Sequence, residues 1–137
     1  MPKSSRLDPR FDWVGPPDPV GKIRPLKLRI VENETEYERK YRERREAINK
    51  WNMAFWREHN ELFDREKAAF VERKRAEKGD LDQLTADEMS IFYKDFLNSR
   101  RTTLADYNWE WYRHNFSLVW PAVRVNFIRF RRLLLRR

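Results

Sequence analysis

From Asn33 to Lys78 the chain contains neither glycine nor proline. A run of that length with no helix breaker, dense in Glu, Lys and Arg, can fold into little but one long helix. Asn33-Glu34-Thr35-Glu36 carries a capping-box signature, read with Asn33 as N-cap and Glu36 at N3. Tyr37, Tyr41, Ile48, Trp51, Phe55, Leu62, Phe63 and Phe70 fall within about 120° of one another on a helical wheel, which sets the apolar face. Glu36/Lys40, Glu38/Arg42, Glu46/Lys50 and Glu61/Arg65 are spaced for i,i+4 ion pairs on the exposed side. Arg73, Lys74, Arg75 and Lys78 before Gly79 close the helix, cations at the negative dipole end and then a C′ glycine. Such a helix runs on the order of 65–70 Å. A compact chain of 137 residues does not need that length, so a bend or a projection toward a partner is expected.

The prolines are segregated. Pro2, Pro9, Pro16, Pro17, Pro19 and Pro25 all precede the helix, and only Pro121 follows it. Each removes a backbone donor and biases its predecessor away from the α region. Residues 1–32 therefore read as an extended Pro-rich arm, and 33–137 as a single helical domain. Lys27-Leu28-Arg29-Ile30-Val31 alternates briefly, and without an evident partner strand it reads as an extended arm laid on a helix or on another protein.

Beyond a linker at Gly79–Leu84, Thr85 and Glu88 form a second capping box. Met89, Phe92, Tyr93, Phe96 and Leu97 then give a short amphipathic helix ending near Asn98-Ser99-Arg100-Arg101. A third helix is expected from Thr103 or Asp106, with a kink at Pro121. On it Trp109, Tyr112, Phe116, Val119, Trp120, Val123, Phe127, Phe130 and Leu134 share one face, and Arg129, Arg132 and Arg136 lie opposite. The fold class is all-α.

Charge narrows the function. The formal net charge is +8, from 30 Lys and Arg against 22 Asp and Glu. The last acid is Glu110, and Arg113, Arg124, Arg129, Arg131, Arg132, Arg136 and Arg137 follow it uncompensated. A near-neutral body with a basic amphipathic end at about 116–137 points to a polyanionic partner. The stretch is too short and too charged to span a bilayer. With Trp120 and Phe127 on one face and Arg124, Arg129, Arg131, Arg132, Arg136 and Arg137 around it, it suits a helix lying on an anionic membrane. The competing reading is an ordinary helix with a core face and a solvated face. Nucleic acid is the other polyanion, but the aromatics keep helical phase and no nucleic-acid module is legible.

Catalysis finds little support. There is no cysteine, which removes disulfides and thiolate chemistry. No phosphate loop or nucleophile elbow is present. His59 sits among Phe55, Trp56, Leu62 and Phe63 and reads as a hydrogen-bonded core histidine, while His114 falls on a polar side and reads as solvated. Neither an enzyme, a metal site nor a cofactor is expected.

Four ordered segments carry a family resemblance. They are Gly15-Pro16-Pro17-Asp18 with Arg24-Pro25; Trp51-Asn52-x-x-Phe55-Trp56 with Asn60; Leu84-Thr85-Ala86-Asp87-Glu88-Met89 leading to Phe92-Tyr93-Lys94-Asp95-Phe96-Leu97; and Tyr107-Asn108-x-x-Trp111-Tyr112-x-x-Asn115-Phe116. Together they resemble the cytochrome c oxidase assembly factor eight family, also called apoptogenic protein one, mitochondrial. The resemblance implies a non-catalytic mitochondrial protein, peripheral on the matrix side of the inner membrane, needed for assembly or stability of cytochrome c oxidase (complex IV). Its partners would be oxidase subunits or assembly intermediates and an anionic lipid such as cardiolipin. A resident accessory subunit of a respiratory complex is the alternative, and a basic nucleic-acid-binding protein a second. Gly15, Pro16, Pro17, Asp18, Arg24 and Pro25 then become a candidate client-binding arm. Trp51, Phe55, Trp56, Phe92, Tyr93, Phe96, Tyr107, Trp111, Tyr112 and Phe116 become packing or interaction aromatics, with Asn52, Asn108 and Asn115 bonding backbone or client groups beside them. Residues 1–13 hold Asp8 and Asp12, unlike an Arg-rich, acid-poor presequence. The expectation is a leader already removed or an import signal of another kind.

Overall fold

A computed structural model describes residues 7–79 and 83–136. Arg137 and the linker residues Asp80, Leu81 and Asp82 lie outside the described residues. Two strands, β1 (Trp13–Val14) and β2 (Leu26–Lys27), precede two helices, α1 (Glu36–Lys78) and α2 (Ala86–Leu135). The all-α class holds, with the small ladder as the one departure among the described residues.

The helices form an antiparallel hairpin zipped from end to end. At the turn Lys78 pairs with Glu88; at the far end Arg132 reaches Glu38 at 2.6 Å. Between them Phe63 and Phe70 meet Phe92, and Trp51 meets Tyr107. The long helix thus does not project alone: a second helix of comparable length covers one side of it.

The structure departs from several expectations of the sequence. The cap of α1 is Thr35, extended at φ −72° and ψ 158°, with Glu38 completing the box. Asn33 instead takes the left-handed region at φ 58°, which Asn tolerates. The expected second and third helices are one: α2 runs through Asn98–Arg101 unbroken. Nothing there forces a break, because no Gly or Pro is present and Ser99 bonds back to the Phe96 carbonyl at 2.7 Å. Of the four expected i,i+4 pairs only Glu36–Lys40 forms, at 3.6 Å, among the described residues. Glu38, Glu46 and Glu61 take Arg132, the Leu28 amide and Arg57 instead. For Glu38 and Glu46 tertiary partners outcompete exposed helix pairs worth only about 0.3–0.5 kcal/mol each, whereas Glu61 exchanges one i,i+4 partner on α1 for another.

β2 does find a partner strand, β1, in antiparallel register Trp13↔Lys27 and Val14↔Leu26. Gly15 turns the chain: it donates to the Pro25 carbonyl at 2.9 Å, and a Cβ there would lie 2.4 Å from the Trp13 ring.

Candidate functional site

Three surfaces of the hairpin hold the residues singled out above. On one side of α1 the arm is clipped down by side chains that bond its backbone. Asn49 accepts from the Leu26 amide and donates to the Arg24 carbonyl, both at 2.9 Å. Glu46 accepts from Leu28 N at 2.9 Å, and Asn60 donates to Val20 O at 2.8 Å. Asp18 organises the loop: its Oδ2 accepts from Gly21 N at 2.7 Å and its Oδ1 from Arg57 Nη1 at 3.1 Å. The Gly21 amide bond leads the effects that hold the Asp18 carboxyl below the usual carboxylate range. Gly21 rests on α1 itself, where a Cβ would stand 3.1 Å from Arg57 N. Gly15, Asp18, Arg24 and Pro25 of the candidate client arm are therefore engaged within the chain, while Pro16 and Pro17 stay exposed. Asn49 and Arg57 carry no role legible from sequence, and Glu46 reads there as half of an exposed pair with Lys50. Their spacing with Asn60 on one helical stripe was the available signal.

The opposite side of α1 carries the aromatic seam. Tyr107 stacks on Phe55 with centroids 4.0 Å apart and on Trp51 at 5.2 Å. Its hydroxyl accepts from Trp56 Nε1 at 2.9 Å and donates to Asn52 Oδ1. A buried phenol fully bonded this way fixes the register of the two helices. Phe92, Phe96 and Tyr107 are buried and Tyr93 is exposed at the rim. His59 is buried against Phe55, Trp56 and Phe96, and its Nδ1 accepts from Arg100 Nε at 3.3 Å. Burial, and then the Arg100 charge, push the imidazole below its ordinary pKa, so it sits there neutral. His114 is not solvated as expected: it packs edge-on against Trp51 with centroids 4.8 Å apart. Asn115 bonds the Trp111 carbonyl of its own helix at 2.7 Å, and Asn108 is exposed.

On the third surface Trp111, Tyr112 and Phe116 are exposed rather than packed between the helices. On the C-terminal half of α2 the most apolar stripe faces outward, and arginines face the body. Trp109 and Phe116 are each 73% exposed, Trp120 70% and Phe127 66%. Tyr112, Val119, Val123, Phe130 and Leu134 continue the exposed stripe, and Trp111 is exposed beside it. Buried Val125 marks the inner side, with Arg129 and Arg132 half-buried near it. Arg132 donates to both Glu38 oxygens and to the Asn33 carbonyl. The Glu38 side chain is 1% exposed. Burial raises its pKa, but the Arg132 and Thr35 hydrogen bonds outweigh that and hold it below the ordinary value. Arg129 Nε lies 4.0 Å from the same carboxylate, and Arg124 sits over the Tyr37 ring at 4.3 Å. Arg113, Arg131 and Arg136 are exposed. The inner face had been disguised in the sequence, because its small and polar residues (Ser117, Pro121, Ala122) do not read as core.

No helix among the described residues is long and apolar enough to cross a membrane. No group of three or more metal-ligating side chains occurs among them either.

The geometry defines a helical hairpin protein that wears an apolar, arginine-fringed face at the end away from its turn. Residues 11–131 match the family model of cytochrome c oxidase assembly factor 8. A mitochondrial COA8 family protein of Caenorhabditis elegans is 57% identical over 128 residues, 93% of this chain and 90% of that one. Cytochrome c oxidase assembly factor 8 of Bos taurus is 38% identical over 124 residues, covering 85% of this chain and 65% of its own. The human protein of that name is 37% identical over 122 residues, 83% and 59% of the respective chains. No solved structure matches. The chain belongs to the cytochrome c oxidase assembly factor 8 family.

Proposed function

We propose that this protein acts in mitochondria in the assembly or stability of cytochrome c oxidase, as a non-catalytic docking protein peripheral to the inner membrane on its matrix side. One observation carries the docking part: a stripe of large apolar side chains from Tyr112 to Leu134 stands exposed on a helix that holds no acid beyond Glu110. Contiguous exposed apolar surface of this kind marks an interaction site in a soluble chain. An apolar stripe fringed by Arg113 and Arg131 suits the boundary of an anionic bilayer, cardiolipin among its lipids, and a membrane-embedded client beside it. The exposed Pro16–Pro17 edge of the clipped arm offers that client a second, preorganised contact.

The test is oxidase activity in mitochondria lacking the protein, normalised to another respiratory complex, with native gels alongside. Selective oxidase loss with accumulated subassemblies is expected, restored by the wild-type chain and not by the double variant W120S/F127S. Unchanged oxidase would overturn the reading. Co-migration one-to-one with the mature complex would replace it with that of a resident subunit.

A further inference from the structure

At the far end of the hairpin a cavity of about 260 Å³ opens between the segment after β2 and the last turns of α2. Arg29, Arg129, Arg132 and Arg136 line it, with Glu32 among them and Leu133 on its rim. Glu32 is the one carboxylate among these four guanidiniums, and Glu38, which does not line the cavity, is committed to Arg132. Arg129 Nε is buried and donates to nothing. Among the described residues no carboxylate comes within 4.0 Å of the Arg29 or Arg136 guanidinium. Planar forks converging on one space suit a tetrahedral oxyanion that accepts several charge-assisted hydrogen bonds.

A second cavity, about 460 Å³ and mostly apolar, lies on the other side of Arg132 and Arg136, walled by Phe127, Ile128 and Leu135 with Arg131 at its edge. The two cavities share Arg132 and Arg136, and Phe127 joins the apolar one to the exposed stripe.

We infer that the Arg29–Arg129–Arg136 cavity is a seat for the phosphodiester of an anionic phospholipid whose acyl chain runs into the groove walled by Phe127, Ile128 and Leu135. This deepens the membrane-docking reading and rests on it: the face supplies the adhesion and the seat supplies headgroup selectivity.

The test uses the full chain in two arms. In the first, arginine Nε–Hε resonances are followed while dihexanoyl phosphatidylglycerol, held below its micelle threshold, is titrated in. Saturable shifts at Arg29, Arg129 and Arg136 are expected, with inorganic phosphate at least about tenfold weaker because it lacks the apolar part. Equal affinity for inorganic phosphate would make this a free-phosphate site and overturn the lipid assignment. So would tighter binding of an RNA oligonucleotide at the same arginines, and so would the absence of saturable shifts. In the second arm, flotation on phosphatidylcholine vesicles with and without phosphatidylglycerol compares R129Q/R136Q with R101Q/R113Q, which removes equal charge from the exposed edge of α2 outside both cavities. The cavity pair is expected to lose at least about tenfold more affinity than the edge pair. Equal losses would overturn the seat while leaving membrane docking standing. Short-chain lipid shifts without any vesicle binding would overturn membrane docking while leaving the seat standing.

Discussion

The two halves of α2 are built on opposite rules. Toward the turn, large rings face inward: Phe92 and Phe96 are buried against Phe63, Phe70 and His59. Toward the end, large rings face outward, and the inner face is made of Ser117, Pro121, Val125 and the arginines that meet Glu38. A helix needing only to pack would bury its most apolar stripe in both halves. The second half gives up that burial and holds on through an ion pair, so its apolar face is left available for something outside the chain. One half is structure, and the other presents a surface.

The largest test of this contrast is Phe96→Ala. It removes a ring from the seam and should cost about 3–4 kcal/mol of stability, read by urea unfolding. Phe127→Ala, on the outward stripe, should stay within about 0.5 kcal/mol; an equal loss at both positions would erase the distinction between the halves. Next comes Glu38→Ala, which strips the α1 capping box of its N3 carboxylate and leaves Arg132 facing the body with only the Asn33 carbonyl to bond. About 2–3 kcal/mol is expected, and hydrogen exchange should rise first around Arg132 rather than around Phe92. Smaller again is Thr85→Ala, which removes the α2 cap at about 1 kcal/mol. It should act at the turn end and leave vesicle binding unchanged.

The smallest effect is a pH dependence confined to the aromatic half. His59 is neutral in the folded chain because burial and Arg100 hold its pKa below the ordinary value of 6.5. The unfolded chain therefore binds the proton first, and stability present above about pH 6.5 is lost as pH falls toward the depressed folded pKa. Thermal midpoints measured between pH 7 and 5 should fall in the wild type, and less steeply in His59→Gln. Equal slopes would show that His59 is not a source of the dependence.

Local signals were legible where one residue type decides the outcome. Thr85 with Glu88, the stop at Gly79 and the core placement of His59 all follow from the chain's own chemistry. The resemblance carried by four ordered segments matched the family. What could not be read was orientation. The hydrophobic stripe through Trp109, Phe116, Trp120 and Phe127 marks the strongest apolar face of α2, and periodicity alone leaves open whether such a face turns to the body or to a membrane. Its true direction depends on Glu38, a residue 94 positions from Arg132 that looked like half of an ordinary surface pair. The clip formed by Glu46, Asn49, Arg57 and Asn60 was hidden for a similar reason, since polar side chains on a charged helix look solvated until a backbone lies across them.

The hairpin's zipped contacts form a ladder of increasing loop length. Lys78 meets Glu88 across a short turn, whereas Arg132 must find Glu38 with 94 residues of separation. Closing entropy grows along that ladder, while the aromatic rungs thin out toward its open end. Partial opening therefore starts at the Glu38–Arg132 rung and travels toward the turn. The end that carries the outward face is also the end that parts most easily, so a partner wedged between the helices there would meet the least resistance the molecule can offer.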